Sequence, residues 1–207
     1  MRTTLILLVA VAVLGCPEKS KPAEAAPPPP VVKQTLAEVP ALANAVPYTF
    51  SQDGSTLTWV GAKVTGKHEG GFKTFKGALE VVDGDLTKSR VKVDIDLASV
   101  FTDSEKLVAH LKNADFFAVD QFPTARFVST GFKKGEGTRV EVTGELTLRG
   151  VTKPISFPAD VTLGEAQADV KAEFTINRQQ FGVAYPGKPD NLISDEVRIA
   201  LEVHAKR

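Results

Sequence analysis

From Leu57 onward, apolar and polar residues alternate with a period of two, the mark of strands that bury one face. Leu57, Trp59 and Gly61 oppose Thr58, Val60 and Ala62. Val91, Val93, Ile95 and Leu97 oppose Lys92, Asp94 and Asp96. Val140, Val142, Gly144, Leu146 and Leu148 alternate with Glu141, Thr143, Glu145, Thr147 and Arg149. The same pattern recurs in Ile155, Phe157, Ala159, Val161 and Leu163, then in Ala168, Val170, Ala172, Phe174 and Ile176. It closes with Val197, Ile199, Leu201, Val203 and Ala205. Turn chemistry separates these runs at Asp53-Gly54, Asp83-Gly84-Asp85, Lys134 to Gly137, Arg149-Gly150 and Gly164. One apolar and one polar face per strand predicts an antiparallel sheet with a single wet side. About eight such strands suit a sandwich or a closed barrel.

One segment departs from this period. Thr102-Asp103-Ser104-Glu105 reads as a capping box, with Thr102 at the N-cap and Glu105 at N3. Leu107, His110, Leu111 and Ala114 follow at helical spacing, and the helix is expected to end near Asn113 to Asp115, with Asp115 capping the turn. Phe116-Phe117 and Phe122-Pro123 come next. A short helix with apolar neighbours, inserted between strands, suggests a lid at a barrel mouth.

The first residues have another character. Arg2 precedes an apolar run from Leu5 to Leu14, the length of a secretory h-region and short of the roughly 20 residues a spanning helix needs. Val13-Leu14-Gly15-Cys16 then resembles a bacterial lipobox, in which the cysteine becomes an acylated N-terminus. An ordinary signal peptide cut elsewhere is the alternative. Cys16 is the only cysteine, so no internal disulfide can form. Pro17, rather than Asp, follows it, which by resemblance to diderm lipoproteins implies the periplasmic side of the outer membrane. The segment up to Pro47, rich in Pro, Ala, Lys and Glu, is expected to be a disordered tether. A proline-motif ligand is the other reading of that stretch. The expected organisation is a signal peptide over 1–15, an acylated cysteine and tether over 16–47, and one domain over 48–207.

Composition narrows the classes. With 25 basic and 25 acidic residues the formal charge is zero, and no basic face asks for a nucleic acid. His68, His110 and His204 stand far apart, without metal-ligand spacing, so no metal is expected. Phe is abundant at 12 residues while Trp occurs once, which supplies apolar area with few polar handles.

Several segments resemble the YceI-like family. His110-Leu111-Lys112-Asn113-Ala114-Asp115-Phe116-Phe117 is similar to its histidine–leucine and Asp-Phe-Phe signature. Gln121 to Phe127, Gly144 to Pro154, Phe72 with Phe75, Lys76 and Gly77, Arg178 with Phe181 and Gly182, and Ser194 to Val197 resemble further blocks of that family, in order, from Tyr48 to Lys206. The resemblance implies an all-β, eight-stranded antiparallel, lipocalin-like barrel with a short helix near the opening. It also implies an apolar cavity for a polyisoprenoid or related lipid, and export to the periplasm. Two positions depart from the family pattern. Lys63 stands where many members carry a histidine, with His68 in the following turn, and Gly61 replaces a usual aliphatic residue.

The inward residues expected to line the cavity are Leu57, Trp59, Phe75, Val93, Ile95, Phe116, Phe127, Leu146, Leu148, Phe157, Phe174, Ile176 and Ile199. An eight-stranded barrel can be filled by side chains or hold one small ligand. Gly61, Gly144, Ala159, Ala168 and Ala172 favour space. His110 and Arg178 are candidate contacts for a polar head group. The alternatives are a strand-end cap for His110 and a surface salt bridge for Arg178. No triad or carboxylate pair is evident, so no catalysis and no cofactor other than a bound lipid are expected. The expected function is a lipid-anchored envelope protein that stores, shields or moves an apolar chain. A packed barrel that presents its outer face to a protein partner is the alternative, and an enzyme acting on a quinone or prenyl substrate is a third reading. A homodimer through the outward Val60 and Ala62 is a further expectation.

Overall fold

The computed structural model describes residues 37–207. Cys16, the expected signal segment and the tether as far as residue 36 lie outside the described residues. The strand segments are β1 (Val46–Ser51), β2 (Thr56–Lys63), β3 (Gly66–Phe72), β4 (Phe75–Val82), β5 (Asp85–Asp96) and β6 (Val100–Thr102). After helix α1 (Glu105–Lys112) come β7 (Thr124–Lys134), β8 (Arg139–Leu148), β9 (Val151–Leu163), β10 (Gln167–Asn177), β11 (Gly187–Lys188) and β12 (Asn191–Lys206).

Six of these segments join end to end. β1 and β2 run together along β12, with Thr49 opposite Lys206 and Leu57 opposite Leu201. β3 and β4 return along them, with Thr58 opposite Gly71 and Val46 opposite Val81. β5 and β6 follow in turn, with Phe75 opposite Ile95 and Gly70 opposite Thr102. Eight long antiparallel strands result, each beside its sequence neighbour, and β12 closes the barrel on β1 and β2. Two of the two-residue hairpins use left-handed residue pairs, Asp83-Gly84 (φ 53° and 67°) and Arg149-Gly150 (φ 50° and 74°). Such pairs match the twist of the flanking strands.

The helix begins two residues later than the capping-box reading predicts. Ser104 is the N-cap, and its hydroxyl accepts from the Leu107 N–H at 3.4 Å. Thr102 instead belongs to β6 and donates its hydroxyl to the Glu69 carbonyl at 2.7 Å. Pairing with β3 thus takes the residue that local spacing assigned to the helix. His68, expected in a turn, lies in β3 opposite Gly61.

One end of the barrel is largely packed. Tyr48, Phe50, Leu79, Val140, Val142, Val203 and Ala205 fill it. Ala168 and Ala205 face each other across β10 and β12, at 0% and 1% exposure. Of the alanines expected to leave space, Ala168 and Ala172 lie in the packed cluster, while Ala159 also lines a small cavity there. Gly144 also makes no void: a Cβ there would lie 2.4 Å from Cζ of Phe127. Gly77 beneath Phe50 and Gly70 beneath Trp59 repeat the arrangement. In each case an aromatic ring from the adjacent strand lies over the bare backbone.

Residues 37–45, assigned to the tether by composition, cross the outer face of β4, β5 and β7. There the Asp94 carboxylate is paired to Arg126 (2.5 and 3.0 Å), while Glu80 accepts from Arg90 (2.7 Å) and Lys92 (2.8 Å). The remaining donors hold the crossing segment: Arg126 donates to the Ala37 carbonyl, Lys92 to Val39 and Arg90 to Pro40, and the Leu42 N–H donates to Glu80. Burial pushes the Glu80 carboxyl up, but its bonds from Lys92 and Arg90 outweigh that and hold it below its ordinary value of 4.5. Its contribution to stability is therefore complete above pH 4.5 and is lost as the pH falls through the lowered value. Glu80→Gln is expected to cost about 1–2 kcal/mol at neutral pH and to flatten the acid limb of a urea-midpoint profile taken from pH 7 to 3. An unchanged profile would remove Glu80 from that limb.

Candidate functional site

The other end of the barrel is hollow. A cavity of about 380 Å³ lies between the strands and the helix. Its wall is built by the inward alternation. β2 gives Leu57, Trp59 and Gly61; β5 gives Val93 and Ile95; β7 gives Phe127; β8 gives Leu146 and Leu148. β9 adds Phe157, β10 adds Phe174 and Ile176, and β12 adds Ile199. Phe116 enters from the loop after the helix. Among the residues expected to line the site, only Phe75 stands elsewhere. It is buried against the packed end, in the wall of a second, smaller cavity.

The lid is assembled from two insertions. Leu111 of α1 is buried with Trp59, Leu97, Val100, Phe116 and Phe181, and Leu107 packs against that cluster. The loop after the 3-10 turn Arg178–Phe181 brings Val183 and Tyr185 over the same space. Arg149 ties the insertions together, donating to the Phe116 carbonyl at 3.0 Å and the Gly182 carbonyl at 2.7 Å. Val183 and Tyr185 follow no strand or helix period, so no sequence signal marks them as cavity residues. Ile155, Val197 and Leu201 also line the cavity and do lie on the inward alternation.

Polar groups gather at the rim. Lys63, His68 and Asn191 are half-buried there and Lys188 is exposed. The His68 ring is 2.9 Å from the Asp103 carboxylate. That ring and the Thr102 hydroxyl hold the Asp103 carboxyl below its ordinary range. His110 faces the cavity, but its Nε2 is 2.9 Å from Asp115, and its ring meets Phe116 and Tyr185 edge-on at 4.9 Å each. Asp115 therefore anchors this histidine rather than simply ending the helix.

Arg178 is no surface ion pair. It is 4% exposed, and its guanidinium donates to the carbonyls of Val183 (2.6 Å), Ser194 (2.9 Å) and Ile193 (3.2 Å) and to Asp195 (3.2 Å). These bonds clamp the 3-10 turn to β12 where its register against β2 shifts between Ile193 and Val197. Trp59 is the one tryptophan of the chain, and its indole N–H is buried without a hydrogen-bond partner among the described residues.

A hollow eight-stranded barrel with apolar walls and a helical lid is the architecture the residues from Tyr48 onward were expected to form, and residues 48–205 match the YceI-like domain family. The chain belongs to the YceI-like family. Protein YceI of Salmonella arizonae is 35% identical over 140 residues, which cover 65% of this chain and 71% of that protein. The crystal structure of Burkholderia cenocepacia BcnA is similar in fold, with a TM-score of 0.68 and 24% identity, over 76% of this chain and 99% of that one. So is a polyisoprenoid-binding domain from Saccharophagus degradans, with a TM-score of 0.63 and 16% identity, over 78% and 98% of the two chains. At these identities the two structures establish the YceI-like barrel itself; what fills it is a matter for the walls just described.

Proposed function

We propose that this YceI-like protein binds one apolar chain, a polyisoprenoid or related lipid, in the hollow half of its barrel, and stores, shields or transfers it. The observation that carries the reading is a cavity of about 380 Å³ whose wall is predominantly apolar. An open apolar space of this kind forfeits contacts that a packed core would make, and an apolar occupant restores them. The polyisoprenoid-binding domain of Saccharophagus degradans, alike in fold, supports the class of ligand. A barrel with this hollow is also less well explained by the packed-barrel reading. No bond need be made or broken, so the function is carriage rather than catalysis.

The anchor belongs to the same proposal. Acylation at Cys16 would hold the protein on the periplasmic side of the outer membrane. A lipid that leaves one apolar medium for another changes free energy far less than one that leaves water, so exchange between membrane and barrel is feasible. Ala37 lies over Arg126, on the rim half of β7.

Mass spectrometry of the protein from the membrane fraction tests both parts. The denatured chain is expected to begin at Cys16 and carry covalent acyl mass. The native protein is expected to carry one further, non-covalent apolar mass, and its uptake should change Trp59 emission saturably. A native protein with no such mass, whose emission ignores added prenyl lipids and fatty acids, would sink the carrier reading. An unmodified Cys16 would sink the anchor alone.

A further inference from the structure

Among the described residues, the barrel interior holds a further cavity besides the large one. Below the large cavity lies a second of about 90 Å³, apolar almost throughout and set among the residues of the packed end. Leu57, Val93, Phe127, Phe157 and Leu201 stand in the walls of both. These shared residues mark the boundary, or partition, between the two spaces.

The aromatic part of this partition is held in place. The Phe127 ring occupies the space that a side chain at position 144 would fill. The Phe157 ring is 5.5 Å from Phe127 on one side and stacks on Phe174 at 4.1 Å and 11° on the other. Each ring is thus fixed by a neighbour on an adjoining strand. Clearing the passage would need a ring to leave its packed position. From the rim at Lys63 to the partition at Leu57, six strand residues at about 3.3 Å each, tilted by roughly 40°, give a depth of about 15 Å. That is a short pocket for a long isoprenoid.

We infer that the Phe127–Phe157 ring pair is a stop that sets the length of chain the barrel encloses. Chain beyond that length stays outside the rim, and the space below the rings is closed to it. This rests on the carrier reading above and adds the length class of the ligand to it. Gly144 acts as a positioning residue, since only a bare backbone there admits the Phe127 ring.

The test is binding of a graded series of prenyl alcohols, geraniol, farnesol, geranylgeraniol and solanesol, measured by native mass spectrometry and titration. In the unmodified protein, affinity should rise along the series and then level off once the chain reaches the rings. In Phe127→Ala the levelling should begin at a longer alcohol. The first member beyond the original plateau should bind about tenfold tighter, the gain from enclosing about two further methylene-sized groups. Refilling the lower cavity in Phe127→Ala/Val170→Phe should return the plateau to its original place. Should Phe127→Ala fail to fold by circular dichroism, Phe157→Leu carries the same expectation. An unmoved plateau in a folded variant overturns the stop while leaving the carrier reading intact. Failure of the unmodified protein to take up any of the alcohols overturns both.

Discussion

Arg178→Met is expected to destabilise the domain by about 3–5 kcal/mol, a fall in Tm of roughly 10 °C or more for a domain of this size. The side chain is nearly fully buried and directs four hydrogen bonds to Val183, Ser194, Ile193 and Asp195. Methionine preserves much of the volume but leaves those acceptors without a donor, in places that water reaches poorly. Arg178→Lys should recover little, because an ammonium cannot serve carbonyls that a planar fork reaches from several sides. The lid should loosen with the clamp, since Val183 belongs to both. Thermal melts of the three proteins decide the matter. A variant with unchanged Tm and lost chain uptake would show that Arg178 serves a ligand head group and is no clamp.

Gly61→Leu is expected to close the cavity while leaving the fold intact. A Cβ at this position meets only the Trp59 ring, at 3.8 Å, and the residue lies in the cavity wall with no left-handed φ to be strained. The leucine side chain would therefore enter space that a ligand would occupy. Binding should weaken by about tenfold to a hundredfold, the loss of a few enclosed methylene groups. Stability should hold or rise, because glycine is a poor strand residue and leucine adds apolar contact. Unchanged affinity in a folded Gly61→Leu protein would show that the chain does not use this cavity. Gly77 and Gly144 offer no such choice: a Cβ at either stands well under 3 Å from a ring and a carbonyl oxygen. The same residue type thus leaves room at one point and is already covered at the others.

Much of the wall was legible because side-chain direction in a strand is a local property. Val197, Ile199, Leu201, Val203 and Ala205 alternate in the sequence, and each lines one of the two cavities. Local periodicity does not say what lies across from a residue. Gly144 looks like empty space until β7 is placed beside β8 and Phe127 covers it. Thr102 and Ser104 are both capable N-caps by chemistry, and pairing of β6 with β3 selects Ser104. Arg178 follows an apolar strand and resembles a head-group ligand. Its donors are taken up by carbonyls of β12 at the register shift, while the residue stays in the cavity wall. Residues 37–45 have the composition of a linker, yet they meet a charged ladder contributed by three different strand segments.

The sequence by itself determined six of the strand runs with their buried faces, the positions of the Gly-containing turns and the presence of a helical interruption. Each follows from one residue and its near neighbours: period-two alternation, glycine tolerance of positive φ, and a capped apolar repeat. Only the tertiary structure decided that the barrel is packed at one end and hollow at the other. Free volume is a property of side chains that converge from several strands at once. The closing of β12 on β1 and β2 sets which of them meet, leaving the rings of Phe127 and Phe157 between the two spaces.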